Sequence, residues 1–106
     1  MWKVQILNKS VQKELDSLPE DLQAKFHKTA SLIKEFGLDK VHEPYVKHLL
    51  GKLWEMRMTG KDGIARAIYV AAIGKRVVVV RIFVKKTQKT PKQEIDIALE
   101  RARSVE

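Results

Sequence analysis

Two hydrophobic periods alternate along the chain, and each switch between them predicts an element. WKVQIL (2–7) alternates apolar and polar positions well enough for a first strand. Helical spacing follows, with Ser10 placed to cap a short helix carrying Val11, Leu15 and Leu18. SLPE (17–20) has the form of a capping box with proline in the first turn. It opens a longer helix whose stripe runs through Leu22, Phe26, Ala30 and Ile33 and ends at Phe36–Gly37. One apolar stripe on each helix means that both must lie on something. LDKVHEPYVKHLLGK (38–52), broken by Pro44 and Gly51, reads as an irregular loop.

Three strands follow the loop. LWEMRM (53–58) ends at the turn TGKDG, IARAIYVAA (64–72) ends at the glycine-containing turn IGKR, and VVVVRIFV (77–84) is the most β-branched run. Short loops between them predict an antiparallel meander. Thr90-Pro91-Lys92-Gln93 is a second capping box, opening a helix with Ile95, Ala98, Leu99 and Ala102 on one stripe. The predicted order is β-α-α-β-β-β-α over residues 1–106, a single small α+β domain with an antiparallel sheet packed on a helical hairpin. Strict alternation puts Trp54, Met56 and Met58 on one face, under the hairpin, and Leu53, Glu55 and Arg57 on the other. The last strand is apolar on both faces, Val78, Val80 and Ile82 against Val77, Val79 and Phe83, so it belongs inside the sheet. Its second face needs a cover, from the C-terminal helix and from a partner protein.

Charge sharpens this picture. The formal net charge is +8, and its distribution is uneven. Residues 47–92 hold twelve basic side chains against Glu55 and Asp62, while basic and acidic residues cancel over 1–46. A field concentrated in mid-chain attracts polyanions, and nucleic acid is the commonest of these. With no cysteine there is no disulfide, thiolate nucleophile or cysteine–zinc site. No signal peptide or membrane-spanning stretch is present in the pattern, so a cytoplasmic setting without membrane contact is expected.

The candidate chemistry is cationic. FVKKTQKTPKQEI (83–95) crowds Lys85, Lys86, Lys89 and Lys92 at a helix entrance, where the aligned N–H groups already carry partial positive charge. An anion bound there would relieve the conflict. Lys92 reads as solvated charge; for Lys85 and Lys86 a site and a solvated strand edge are equally open. Arg66 interrupts an apolar strand and must reach the rim, pair with a carboxylate such as Glu55, or bind a ligand. Arg57 and Arg81 pose the same choice on neighbouring strands. His27 falls on the polar side of its helix. His42 and His48 lack metal-ligand spacing, and His48 is the weaker candidate for a proton carrier. Tyr69 falls opposite Arg66 and reads as core, whereas Tyr45 on the loop could stack on a base. No cofactor or metal site is expected.

LWEMR (53–57), GIARAIYV (63–70) and RVVVVRIFVKKTQKTPKQEI (76–95) resemble the RelE/ParE superfamily of bacterial toxins, closest to its HigB-like, phage-derived branch. The similarity covers about residues 2–104. It implies a small α+β fold and a ribonuclease that cuts messenger RNA, in many members on the translating ribosome. It also implies a silencing antitoxin, often a helix-turn-helix protein, through which alone promoter DNA is contacted. Arg66 matches the family's active arginine in an R-x-x-Y strand, Arg57 a basic position on the preceding strand, and Lys85 and Lys86 the active segment after the last strand. Lys52, Arg81, Lys89, Tyr45 and His48 are the expected RNA contacts around them. The family's C-terminal tyrosine or histidine is missing from ALERARSVE, which leaves the proton-transfer roles open.

RNA can be cut without metal when a 2′-hydroxyl attacks the adjacent phosphate, cations stabilise the phosphorane, and proton carriers serve the two oxygens. Arg66 and Arg57 are expected as clamps, and Lys85 or Lys86 as proton carrier. Two alternatives stand beside this: a ParE-like inhibitor of DNA gyrase, and a non-catalytic RNA-binding module. A supercoiling assay separates the first, and the absence of any RNA product the second.

Overall fold

The computed structural model describes residues 1–61, 63–86 and 89–105. Asp62 of the expected TGKDG turn, and Thr87 and Gln88 of the lysine-rich connector, lie outside the described residues. The elements are β1 (Lys3–Ile6), α1 (Lys9–Asp16), α2 (Glu20–Phe36), a 3-10 turn (Leu38–Lys40), β2 (Val46–Leu50), β3 (Leu53–Gly60), β4 (Gly63–Ala72), β5 (Arg76–Lys85) and α3 (Lys92–Ala102). They form a five-stranded sheet of order β1-β5-β4-β3-β2. The meander β2 to β5 is antiparallel, but β1 lies parallel to β5, so the sheet is mixed rather than wholly antiparallel. The chain leaves β1 through the helical hairpin and returns to its side only after three more strands, which fixes that direction.

Strand β2 replaces part of the expected loop. Val46, Lys47 and His48 pair with Met56, Glu55 and Trp54, and Gly51-Lys52 is a tight turn in which Gly51 takes a φ of +55°. The helix starts also depart from expectation. Asn8, not Ser10, caps α1, accepting from the Val11 N–H at 3.1 Å. Neither capping box forms: Pro19 and Pro91 occupy the N-cap positions without side-chain bonds. Ser17 instead donates to the Lys13 carbonyl at the end of α1, and Thr90 is drawn away to Glu55.

The sheet is buried on both sides. Val11, Leu15, Leu22, Phe26 and Ile33 of the hairpin pack on Met56, Met58, Ala67, Tyr69, Val77 and Val79. On the other face Ala98 and Ala102 bring α3 onto Ile68, Val70, Val78 and Val80. Alanines four apart leave that side of α3 flat enough to approach the sheet closely. Thus the C-terminal helix does cover the second face, as β5 required.

One irregularity governs the rest. Tyr69 pairs with Val79 and Ile68 with Arg81, so Val80 is an extra residue, a β-bulge in β5. Beyond it the alternation is reversed. Ile82 joins Val77 and Val79 against the hairpin, and Phe83 joins Val78 and Val80 under α3, the opposite of strict alternation.

Candidate active site

The bulge decides which lysine reaches the site. With uninterrupted alternation Lys86 would share the face of Arg66; after the extra residue it is Lys85 that does. Arg66 pairs with Phe83 and Ile64 with Lys85, which places Lys85 one step along from Arg66 on the same face. Across β3, Arg57 is directly opposite Arg66, and Glu55 of the same strand faces Lys47 on β2. Four adjacent strands therefore contribute Lys47, Arg57, Arg66 and Lys85 around one carboxylate, Glu55.

Arg66 is only 4% exposed and Lys85 5%. Buried cations ordinarily need partners. Arg66 has half of one: its Nε lies 3.6 Å from Glu55 Oε1, too long for a hydrogen bond, and one terminal nitrogen donates to the Ala65 carbonyl at 2.9 Å. Its Nε–H is buried without an acceptor. The other oxygen of Glu55 accepts from the Thr90 hydroxyl at 2.9 Å, which ties the connector to the site. Among the described residues neither Arg57 nor Lys85 forms an ion pair. Burial, opposed by Glu55 and reinforced by Arg57, draws the Arg66 guanidinium below its ordinary range. Burial likewise lowers Lys85, and the charges of Arg66, Arg57 and Lys47 add to the effect against the pull of Glu55.

Other expected residues lie elsewhere. Arg81 is held by two carboxylates, Glu14 and Glu94, each at 2.6 Å. It belongs to an ion network rather than to the cationic cluster. His48 pairs with Trp54, on the face opposite Arg66, and its Nε2 lies 2.7 Å from the Gly51 carbonyl. Lys52 sits in the β2–β3 turn, about 17 Å along the strand from Arg57 at the usual rise per residue. Lys86 is exposed past the end of β5, Lys89 is exposed on the connector, and Lys92 pairs with Asp96 at 2.9 Å on the surface of α3. Tyr45 is beside the cluster, its carbonyl accepting from the Arg57 N–H at 2.8 Å. Tyr69 is wholly buried in the hairpin core.

Lys47 was hidden in the sequence because β2 was read as loop. The signal for β2 is the two-residue turn Gly51-Lys52 ahead of β3, since Val46-Lys47-His48-Leu49 does not alternate. Glu55, expected from the sequence as a partner for Arg66, lies 3.6 Å from it and also accepts from Thr90, a contact that no local pattern discloses. Among the described residues no group of three or more His, Asp or Glu is arranged to hold a metal ion, and no helix is long and apolar enough to cross a membrane.

Solved structures share this architecture. E. coli toxin RelE, in a double-mutant free form, superposes with a TM-score of 0.66 at 14% identity, over 94% of this chain and 96% of that one. A chain of the archaeal RelE–RelB complex from Pyrococcus horikoshii OT3 gives 0.55 at 24% identity, over 78% of this chain and 93% of that one. At these identities the likeness is one of fold. No curated protein matches the sequence. The family described as "Phage derived protein Gp49-like (DUF891)" matches residues 13–103. With residues 13–103 inside that match, the protein belongs to the Gp49-like family of phage-derived proteins, and its fold is the one RelE has.

Proposed function

We infer that this protein is the toxin of a toxin–antitoxin pair, a metal-independent endoribonuclease that cuts messenger RNA on translating ribosomes and is silenced by an antitoxin protein. One observation carries the chemistry: Arg57 and Arg66, like charges directly opposite on neighbouring strands, share a face with Lys85 while a buried guanidinium N–H has no acceptor. Like charges in that relation destabilise a sheet, and an orphaned buried donor costs about 1–3 kcal/mol. A phosphodiester seated on that face relieves the repulsion between the cations.

With Lys85 as the free amine, three cations less one carboxylate leave two positive charges in excess, and three once Lys85 has taken the proton. That excess suits the dianionic phosphorane better than the singly charged diester, so it favours the transition state over the bound substrate. Arg66 supplies positive charge beneath the phosphoryl oxygens, its guanidinium held by the Ala65 carbonyl and set beside Glu55. Arg57 takes the other oxygen from the rim. Lys85, lowered by burial among cations, is more readily found as the free amine and takes the proton of the attacking 2′-hydroxyl. The 2′-oxygen bonds to phosphorus, the bond to the 5′-oxygen breaks, and water at the rim beside Arg57 protonates the leaving oxygen. The products are a 2′,3′-cyclic phosphate and a 5′-hydroxyl.

Partner assignments follow from kinship. A RelE relative has been solved in complex with RelB, and for this chain a helix-turn-helix antitoxin is the expected equivalent, with promoter DNA reached only through that complex. Mapping RNA ends after induced expression tests the chemistry. Wild type should leave 5′-hydroxyl ends, purified protein should give the same ends on ribosomes kept assembled in magnesium, and Arg66→Ala should leave none. Ends carrying a 5′-phosphate would refute the mechanism.

A further inference from the structure

The cationic face does not stop at Arg57. β2 begins at Val46, opposite Met56, so beyond Arg57 the edge of β3 away from β4 has no strand neighbour, and a cleft of about 160 Å³ opens between that edge and α2. Arg57, Tyr45, Thr59, Lys25, Lys28 and Thr29 line it together with Pro44, and no carboxylate does. Lys25 and Lys28 stand three apart on α2 and so project on the same side. The obvious partner of Lys25, Asp21 one turn earlier, is occupied instead by the Lys61 N–H at 2.7 Å. Neither lysine forms an ion pair among the described residues. Tyr45, 38% exposed, lines this cleft, and its carbonyl accepts from the Arg57 N–H, which keeps the residue beside the strand that carries the cluster.

Size narrows what fits. At about 30 Å³ per water the cleft holds about five waters, enough for a phosphate group but not for a whole nucleotide. The base of that nucleotide must lie outside, where the exposed Tyr45 ring offers a stacking surface. We propose that the cleft is a second RNA subsite: Lys25 and Lys28 hold the phosphate next to the scissile one, and Tyr45 stacks on the intervening base. Arg57 belongs to both subsites and joins them into one track. This rests on the reading that the Arg57–Arg66 cluster takes RNA. It adds that the substrate is a single strand threaded from the cluster over the sheet margin to α2.

The probe is a fluorescein-labelled 2′-O-methyl RNA hexanucleotide, which lacks the attacking hydroxyl, titrated against the full chain over a salt series. Lys25→Ala/Lys28→Ala should reduce the log–log salt slope by about 1.4, two single-strand phosphate contacts at about 0.7 each. Tyr45→Ala should weaken binding about tenfold, within the range for loss of one base stack, and Tyr45→Phe should restore it. On duplex RNA, Tyr45→Ala should have no effect. The proposal is overturned by an unchanged slope in the lysine variant, by equal Tyr45→Ala losses on single strand and duplex, or by no binding of the wild type at low salt. Cleavage of the unmodified hexanucleotide on ribosomes keeps the two readings apart. Normal cleavage with unaltered variant binding removes the subsite alone; variant effects on binding without cleavage by the wild type remove the nuclease alone.

Discussion

Two groups of charged side chains share the sheet, about two residues apart along β4 and β5, and they are balanced in opposite ways. Around Arg81 the charges cancel. Glu14 and Glu94 grip it, Arg101 adds a second bond to Glu14 at 2.9 Å, and the network closes the open edge of β5 where β1 has stopped. Glu14 accepts from the Ile82 N–H at 3.0 Å, and Arg101 donates to the Val80 carbonyl at 2.9 Å. Burial opposes the charge on Arg81, but its bonds to Glu94 and Glu14 outweigh that and raise its pKa. Around Arg66 the charges do not cancel, and the guanidinium is lowered rather than raised. A polar network whose every member is satisfied holds a fold together. One left in excess stores unfavourable energy that only a ligand of opposite charge relieves, and such sites cluster where proteins act.

Exchanging the two arginines for alanine breaks the comparison most sharply. Arg66→Ala should lower the cleavage rate constant by about 10²–10³, the loss seen when one preorganised donor to a developing oxyanion is removed. Its melting temperature should stay near wild type, since removing one cation from a cluster in excess also removes repulsion. Arg81→Ala should do the reverse: a clear fall in melting temperature with the rate per folded molecule unchanged. If Arg81→Ala abolishes cleavage in protein shown to be folded, the division between the two clusters is wrong.

Glu14 is the keystone of the balanced side. Glu14→Ala leaves Arg81 and Arg101 short of a carboxylate and the Ile82 N–H unbonded, at a cost of about 3 kcal/mol. For a domain of this size that is about 10–15 °C in melting temperature. Burial tends to raise the Glu14 pKa, but the bonds from Arg101 and Ile82 and the charges of Arg81 and Arg101 hold it below 4.5. The sign follows directly. A carboxyl depressed in the folded state adds stability above its unfolded value, and that stability is lost as pH falls through the folded value. Acid titration of the melting temperature should therefore be steeper below pH 4.5 for wild type than for Glu14→Gln.

The contrast also explains what the sequence disclosed. Elements with a strong period were legible: the α2 stripe, the β-branched run of β5 and the Ala98–Ala102 side of α3 all lie where the pattern puts them. Arg57 and Arg66 were legible as rule-breaking charges, and their adjacency followed from a meander. The bulge at Val80 was not. VVVVRIFV contains no glycine or other local signal, and the extra residue is set by tertiary contacts, namely Glu14 and Arg101 seizing the free edge of β5. That one residue decides Lys85 over Lys86. Thr90 misled for a related reason: a hydroxyl before a helix can cap it or serve a distant carboxylate, and only the fold brings Glu55 near.

The smallest expected effect sharpens the comparison from the unbalanced side. Lys85 is buried with no ion-pair partner among the described residues, so its charge opposes folding. A lysine depressed in the folded state carries its penalty at pH values below the folded pKa. The penalty fades as pH rises from there toward 10.5, the ordinary value, because over that window the unfolded chain binds more protons. Lys85→Met, close in volume and apolar, should stabilise the protein at pH 7 by about 1 kcal/mol, as replacement of a buried charge often does. Chemical denaturation at pH 7 and at pH 10.5 measures both halves: the gain should be present at the first and nearly gone at the second. Cleavage should be lost in the same variant, whereas the balanced network offers no substitution that trades activity for stability in this way. A Lys85→Met protein less stable than wild type at pH 7 would mean that Lys85 is already neutralised within the fold, and the cluster would then hold one positive charge fewer for a phosphate to meet.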